Sequence, residues 1–136
     1  MRRSTDGKWF LYEMTGLTIL SGAAPAITTN LSFTLMASED FNGDGNNDVL
    51  LRRTDGKWFI YAMSGATILD QGQPAITINL DFQHVASADS DRDGQADILL
   101  RRNDGKWFLY LMDGITVLDR GVVDMTTNTD WVPIVF

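Results

Sequence analysis

Three copies of one short sequence, set a constant distance apart, constrain the fold of this chain more than any other feature. The copies are TDGKWFLYEM (5–14), TDGKWFIYAM (54–63) and NDGKWFLYLM (103–112). Their aspartates, Asp6, Asp55 and Asp104, follow one another at intervals of 49 residues. Repetition of this length is typical of architectures in which each repeat is one small structural unit that buries its apolar faces against its neighbours.

Within one repeat, four short runs of residues favour β-strands. In the repeat at 32–80 they are FTLMAS, DVLLRR, KWFIYAM and ATIL, which begin at residues 33, 48, 57 and 66. Their β-branched and aromatic residues fit a pleated sheet, and the Asp-Gly and Ser-Gly pairs between them are typical of hairpin turns. No run has the length or the periodicity of a helix. We therefore predict an all-β fold, a β-propeller of four-stranded antiparallel blades of about 49 residues with three blade equivalents per chain.

The repeat boundaries divide this single propeller unit into four parts. We assign residues 1–31 to a partial N-terminal blade, 32–80 to a blade with an acidic loop at 40–48, 81–129 to a blade with an acidic loop at 89–97, and 130–136 to a closing strand.

The aromatic run of each repeat is expected to form the core between blades. A blade stacked between two others is apolar on both faces, which explains the weak alternation in WFIYAM. We expect the core to contain Trp9, Trp58, Trp107, Met14, Met63 and Met112. The alternative is that the tryptophans are exposed and stack on a bound sugar.

The excess negative charge of the chain is confined to the two loops. The chain has 18 Asp and Glu against 11 Lys and Arg, a net charge of −7, and seven of the acids lie within 40–48 and 89–97. A strong acidic balance argues against a general nucleic-acid role, whereas localised acidic loops favour small cations. The absence of cysteine excludes disulfides and thiolate metal sites. No apolar run approaches the length of a membrane span, and the first residues form no apolar signal segment.

Both loops place oxygen-bearing side chains at positions 1, 3, 5 and 9. In the first loop these are Asp40, Asn42, Asp44 and Asp48, and in the second they are Asp89, Asp91, Asp93 and Asp97. Calcium is a hard cation that takes six to eight oxygens at flexible angles. Gly45 and Gly94, at position 6, allow a sharp turn, and the backbone carbonyl at position 7, of Asn46 or Gln95, is a further ligand. The pattern therefore predicts one Ca²⁺ ion in each loop, and we expect the two sites to be independent.

Two other interpretations of the loops are weaker. The helix-flanked calcium hand needs a bidentate Glu at position 12, but Leu51 and Leu100 stand there, inside apolar runs. The loops are therefore expected to join strands rather than helices. Asx-rich turns without a metal ion are the other alternative, against which the repetition of the whole pattern argues.

The segments DFNGDGNNDVLLR and DRDGQADILLR, followed by DGKWFLYLM and GITVL, resemble FG-GAP/VCBS-type repeats, the calcium-binding blades of integrin-alpha-like β-propellers and of many secreted bacterial proteins. The resemblance implies calcium in the hairpin loop between the first and second strands of a blade. The implied ligands are Asp40, Asn42, Asp44, the Asn46 carbonyl and Asp48, and then Asp89, Asp91, Asp93, the Gln95 carbonyl and Asp97. It also implies an extracellular or cell-surface location. The doubled arginines at 52–53 and 101–102 depart from the pattern of similar bacterial repeats.

Nothing in the sequence favours catalysis. His84 is the only histidine, no Ser-His-Asp set can be assembled, and the clustered carboxylates are already assigned to metal. We predict a non-catalytic calcium-binding module with structural calcium and a role in self-assembly and in adhesion or ligand binding. A lectin-like carbohydrate-binding propeller and a purely architectural or engineered fragment are the alternatives. The arginine pairs either bind an acidic glycan or peptide or form ion pairs with Asp55 and Asp104.

The expected partner is a second copy of the chain. A constant period aligns Met1 with Leu99 and Phe136 with Ser87, so WVPIVF (131–136) is a first strand without its partner strands, and the N-terminal part lacks that strand. Three blades cannot close a ring within the usual range of four to eight. We therefore expect a head-to-tail homodimer with six blades, in which each WVPIVF completes the other copy, in preference to a trimer with nine.

Overall fold

The structure, a computed structural model, describes residues 1–134. Within this part of the chain there are strands and turns and no helix, and therefore no helix that is long and apolar enough to cross a membrane. The strands are β1 (Leu11–Thr15), β2 (Thr18–Ala23), β3 (Phe33–Ala37), β4 (Val49–Arg53), β5 (Trp58–Ser64), β6 (Thr67–Gly72), β7 (Phe82–Ala88), β8 (Asp97–Arg102), β9 (Trp107–Asp113) and β10 (Thr116–Val123).

Two four-stranded antiparallel sheets follow one another along the chain. The first sheet has the order β3-β4-β5-β6 and the second has the order β7-β8-β9-β10, so both are simple meanders. A two-stranded hairpin, β1-β2, precedes them and corresponds to the last two strands of a sheet. The predicted all-β fold of blade-like four-stranded antiparallel sheets is confirmed, and the described chain leaves the ring open.

Apolar side chains fill the spaces between successive repeats. One cluster joins Trp9 and Ile27 of the N-terminal part to Val49, Leu51, Tyr61 and Met63 of the first sheet. The other joins Leu50, Trp58 and Ile60 of the first sheet to Ile98, Leu100, Tyr110 and Met112 of the second. The middle sheet is therefore apolar on both faces, as the weak alternation of its third strand predicts.

The expectation that the tryptophans lie in the core is confirmed, but the one for Met14 is wrong. Trp9, Trp58 and Trp107 are 5%, 1% and 6% exposed. Met63 and Met112 are buried at 1% and 0%, whereas Met14 is 50% exposed. The difference arises because an apolar cluster with the preceding repeat covers Met63 and Met112, and no described residue covers that face of the β1-β2 hairpin.

An arginine and a tryptophan bind each repeat to the connection that follows it. The Trp58 indole N–H donates to the carbonyl of Thr77 at 2.9 Å. The Arg52 guanidinium lies over the same indole ring, 4.6 Å from its centroid, and donates to the carbonyls of Asn79, at 2.9 Å, and Phe82. The corresponding pairs, Arg2 with Trp9 and Arg101 with Trp107, make the same set of contacts. We call this set the arginine clamp.

The glycine of each Asp-Gly turn allows the connection to come close. Gly56 has a φ of +90°, and a Cβ there would lie 1.9 Å from the carbonyl oxygen of Ile78. Gly7 and Gly105 show the same conflict with Thr29 and Thr127. Glycine is needed at these turns for its positive φ, and the close backbone approach is a second requirement that excludes any side chain.

The first turn contains one residue more than the other two. Arg2 occupies the clamp position of Arg52, yet it lies seven residues before its tryptophan rather than six. Met1 therefore corresponds to Leu100, and the alignment with Leu99 that a constant period predicts is wrong by one residue. The extra residue lies in the turn before Asp6, where Arg3 still reaches Asp6 as Arg53 reaches Asp55.

The predicted closing strand at 130–136 extends beyond the described residues. Residues 131–134 are not in a strand, and residues 135 and 136 lie outside the described part of the chain. The Trp131 carbonyl accepts a hydrogen bond from the Arg101 guanidinium at 2.7 Å, while Trp131 itself is 67% exposed.

Replacing Arg52 by Lys tests the arginine clamp. An ammonium cannot donate to two carbonyls in a fixed fork while it lies flat on the indole ring, so we expect the free energy of unfolding in urea to fall by about 1–3 kcal/mol. The adjacent Arg53→Lys is the matched control, because Arg53 makes an ion pair near the surface with Asp55 and should change stability by less than about 1 kcal/mol. Equal losses in the two variants would contradict the clamp.

Candidate functional site: two acidic loops at the ends of the sheets

Each acidic loop joins the first and second strands of a four-stranded sheet. Residues 38–48 connect β3 to β4, and residues 89–96 connect β7 to β8. In the first loop the Asp40 carboxylate accepts backbone N–H groups from Gly43, at 2.7 Å, and Gly45, at 2.7 Å. In the second loop the Asp89 carboxylate accepts those of Arg92, at 2.6 Å, and Gly94, at 3.1 Å. The carboxylate at position 1 therefore curls both loops around itself.

Positions 3 and 5 continue this scheme. The Asn42 side-chain oxygen accepts the Asp44 N–H at 3.0 Å, and the Asp91 carboxylate accepts the Asp93 N–H at 3.1 Å. Asp44 and Asp93 in turn accept the N–H of the residue at position 7, each at 2.8 Å. Such short-range turns are typical of Asp and Asn, whose side chains can accept from the backbone two residues later.

The backbone of both loops is held in the left-handed region at two positions. Gly45 and Gly94, at position 6, have φ of +84° and +92°. At position 4, Gly43 has a φ of +75°, while its counterpart Arg92 has 68° and is the only non-glycine residue with positive φ among the described residues. A side chain in this region costs roughly 1–2 kcal/mol, so the second loop keeps its shape despite a strained residue.

The aspartate at position 9 is buried and ties the loop to the sheet. Asp48 is fully buried, and its two carboxylate oxygens accept the N–H groups of Phe41, at 3.0 Å, and Met63, at 2.8 Å. Asp97 does the same with Ser90, at 2.9 Å, and Met112, at 3.1 Å. Burial raises the pKa of Asp48 and of Asp97, and these N–H donors oppose the rise. The negative charges of Asp44 and Asp40 add to the rise in the pKa of Asp48.

In the second loop three of the predicted ligands converge. Carboxylate oxygens of Asp89, Asp91 and Asp97 all lie within 4.8 Å of one another. Two oxygens that both lie about 2.4 Å from one calcium ion are separated by at most about 4.8 Å, so these three fit a single ion. The donors are hard oxygens only, the kind that Ca²⁺ prefers over softer ligands.

This cluster does not include Asp93 or the three aspartates of the first loop. Asp93 and Asp44 are exposed at the tips of the loops, where they accept hydrogen bonds from position 7. Asn42 replaces Asp91 in the first loop, so that loop has one carboxylate fewer with the same local hydrogen bonds. Of the predicted ligands, the structure brings Asp89, Asp91 and Asp97 together, and the complete ligand set of each loop stays a prediction.

The two loops touch each other, which sequence reasoning missed. The carbonyl of Asp40 accepts the N–H of Ala96 at 2.7 Å. The Gln95 side chain lies against the first loop, with its Cγ 3.2 Å from the place where a Cβ on Gly43 would stand. Phe41 is fully buried between the sheets, and its carbonyl accepts the N–H of Gly114 at 2.7 Å. A possible signal was Gly43 itself, which has no side chain where the two loops meet.

The doubled arginines are occupied by contacts within the chain. The first of each pair forms the arginine clamp, and the second pairs with Asp55 or Asp104. The hydrogen bond from Arg53 lowers the pKa of Asp55 to about 2. The ion-pair interpretation of Arg53 and Arg102 is confirmed, and the buried tryptophans are not available as exposed sugar-stacking surfaces.

His84 lies in β7, between the two sheets and apart from the acidic loops. Its Nε2 is 2.9 Å from the Ser87 hydroxyl, and its ring faces Trp58 at a centroid distance of 6.4 Å. Burial lowers the pKa of His84 below the ordinary 6.5, and the positive charge of Arg52 lowers it further. This environment favours the neutral imidazole.

Stability should therefore depend on the protonation of His84. Because its pKa is lower in the folded chain than in the unfolded one, the unfolded chain takes up the proton first as the pH falls. The contribution of the neutral imidazole to the free energy of unfolding is complete above pH 6.5 and is lost as the pH falls towards the folded pKa. Over this range the free energy of unfolding falls with decreasing pH, with a slope of at most about 1.4 kcal/mol per pH unit. His84→Leu, which introduces the residue that the preceding repeat carries at Leu35, should remove this slope from urea unfolding curves between pH 5 and 7.5. An unchanged slope would contradict the assignment.

Comparison with known proteins supports the repeat assignment. Residues 40–100 match the family model described as an FG-GAP-like repeat. The match begins at the first residue of the first acidic loop, includes the whole second loop and ends within β8. No curated protein and no solved structure shows significant similarity to the chain. The resemblance to FG-GAP-type repeats is thereby confirmed for this segment.

Proposed function

We propose that this chain is a non-catalytic, calcium-binding β-propeller repeat module in which the ions are structural. The observation that carries the proposal is the convergence of the Asp89, Asp91 and Asp97 carboxylates in a loop whose hydrogen-bond scheme recurs at 40–48. Each loop would hold one Ca²⁺ through its side chains at positions 1, 3, 5 and 9 and the carbonyl at position 7. The match of this segment to FG-GAP-like repeats supports the same conclusion.

The role of the ion follows from the buried aspartate at position 9. Asp97 would ligate calcium while it accepts the N–H of Met112 in the third strand. An ion at this place links the tip of the loop, the end of the second strand and the third strand. It also neutralises clustered carboxylates that otherwise repel one another. Calcium would therefore stiffen the end of each sheet that carries the loop.

The setting of such a module would be outside the cell or at its surface. Flexible sites of this oxygen-rich type in extracellular modules bind calcium with dissociation constants of roughly 10⁻⁴ to 10⁻³ M, so they need the high calcium concentration found there. Adhesion or presentation of a ligand-binding surface is the broader role that we propose. Catalysis has no support in the residues described, since the clustered carboxylates are assigned to the ion and His84 is engaged between the sheets.

We also propose that the module associates with a second copy, head to tail, as a dimer. The two end faces support this proposal. Tyr12 and Met14 are 46% and 50% exposed, while their counterparts Tyr61 and Met63 are covered by the preceding repeat at 7% and 1%. At the other end Leu109 is only partly buried, while its counterpart Ile60 is fully buried.

The two end faces match each other. Within the chain, the face that contains Leu50 and Ile60 packs on the next repeat, and the face that contains Tyr61 and Met63 packs on the preceding one. The exposed face of the second sheet in one copy corresponds to the face that contains Leu50 and Ile60, and it would pack on the exposed face of the N-terminal hairpin in another copy. In the register that pairs Phe33 with Arg53, residues 131–133 of the partner copy would run beside residues 1–3.

Calcium should stabilise the fold. At a free concentration about a hundredfold above the dissociation constant, each occupied site adds about 2.7 kcal/mol, so chelation should lower the melting temperature at low ionic strength. Asp44→Ala and Asp93→Ala should each remove one equivalent of calcium in isothermal titration. Asp70→Ala, an exposed aspartate outside the loops, is the control and should remove none. A melting temperature that does not respond to the chelator, with no heat of calcium binding, would refute the proposal.

Light scattering with calcium present, at micromolar concentration, tests the association. We expect twice the chain mass of 15.2 kDa. Met14→Lys places a charge on the N-terminal face and should shift the protein towards monomer. Leu69→Lys is the control. Leu69, which has a repeat after it, is 57% exposed, and its counterpart Leu118 in the second sheet, which has none in the described chain, is exposed to the same extent. A following repeat therefore does not cover this position. A folded wild-type monomer would refute the association, and a trimer would refute the six-bladed dimer.

A further inference from the structure

We infer that the two calcium loops are coupled, and that Gln95 is the residue that couples them. The inference rests on the proposed calcium function and concerns how one site affects the other. It modifies the expectation of independent sites. Each loop still binds its own ion, but occupation of one loop raises the affinity of the other.

The backbone contact between the loops joins ligand positions on both sides. Asp40 is the first ligand position of the first loop, and its carbonyl accepts the N–H of Ala96 at 2.7 Å. Ala96 stands between Gln95 and Asp97, the seventh and ninth positions of the second loop. An ion that fixes the Asp40 carboxylate also fixes the carbonyl of the same residue. It thereby orients the peptide that leads to two ligands of the second ion.

The side chain of Gln95 adds a second contact. Its Nε2 donates to Asp93, the fifth position of its own loop, at 3.2 Å, while its Cγ and Cδ lie against Gly43. Its Oε1 is buried and is the one buried side-chain polar atom in the described part of the chain that has no hydrogen-bond partner. A buried acceptor without a donor is unfavourable, so a rearrangement of either loop on ion binding changes the energy of this contact.

The equivalent residue of the first loop provides a matched comparison. Asn46 donates its side-chain amide to Asp44 at 3.1 Å, as Gln95 does to Asp93, but Asn46 is exposed, and among the described residues its side chain makes no hydrogen bond to the second loop. Replacing either residue by Ala removes an amide, keeps the backbone carbonyl at position 7 and leaves the charge unchanged. Only the replacement of Gln95 should affect communication between the loops.

The test is calcium titration of the whole chain at 150 mM salt, which screens repulsion between the loops. The affinity of each single loop comes from Asp44→Ala and Asp93→Ala. The product of the two wild-type association constants, divided by the product of the two single-loop constants, gives the coupling factor. We expect about fivefold, the lower end of coupling between sites in proteins. The factor should persist in the Asn46→Ala background and fall in the Gln95→Ala background, where only the backbone contact between the loops remains.

Amide hydrogen exchange gives a second measurement that does not depend on the substitution of Gln95. In Asp93→Ala, where only the first loop can bind, calcium should slow exchange of the Ala96 amide. An unchanged rate there, or a wild-type coupling factor near one with two bound ions, would overturn the coupling and leave the calcium proposal standing. A factor that Gln95→Ala leaves unchanged would overturn the role of Gln95. A wild-type chain that takes up no calcium would overturn the proposed function itself.

Discussion

A guanidinium that lies on an indole ring and donates to two carbonyls of the next connection holds the repeats of this chain together. Arg52 reaches Asn79 and Phe82, residues that lie 27 and 30 positions further along the chain. Its acceptors are backbone carbonyls, so the arginine itself does not restrict the side chains of the connection. The segments 73–81 and 122–130 differ at most positions and keep only the Thr, Asn and Asp that stand at 77, 79 and 81 in the first of them, while the arginine, the tryptophan and the Asp-Gly turn are the same in every repeat.

The connection is shaped to meet the clamp. The Thr77 hydroxyl accepts the Asn79 N–H at 3.3 Å, and the Asn79 side-chain oxygen accepts the Asp81 N–H at 2.9 Å. These two turns direct the carbonyls of Thr77 and Asn79 towards the tryptophan and the arginine. Burial lowers the pKa of Arg52, but a guanidinium remains charged, and its charge-assisted bonds offset the loss of hydration. The arginine clamp is therefore stable between repeats even though the side chains around it are mainly apolar.

Much of this architecture could be predicted from the sequence, because the repeat encodes it locally. The four strands follow from short β-prone runs between Asp-Gly and Ser-Gly turns, and the convergence of Asp89, Asp91 and Asp97 follows from their spacing within one loop. What could not be predicted depends on contacts between repeats. Nothing in the sequence indicates that Arg52 meets the carbonyl of Asn79, that Gln95 lies on Gly43, or that Met14 lacks the cover that Met63 has. The extra residue before Asp6 was hidden by the constant spacing of the aspartates.

The differences between otherwise similar repeats lie where the loops meet the next sheet. Phe41 fills the junction between the two sheets, while Ser90 stands exposed at the same position of the second loop. Stability in stacked repeats is approximately a sum of terms within each repeat and terms between neighbours. The Asp48 carboxylate stabilises its own sheet by accepting the Met63 N–H, and the Asp40 carbonyl stabilises the junction with the next repeat by accepting the Ala96 N–H. An ion bound by both residues would therefore act on the sheet and on its junction with the next repeat at once, because its ligands belong to the groups that join them.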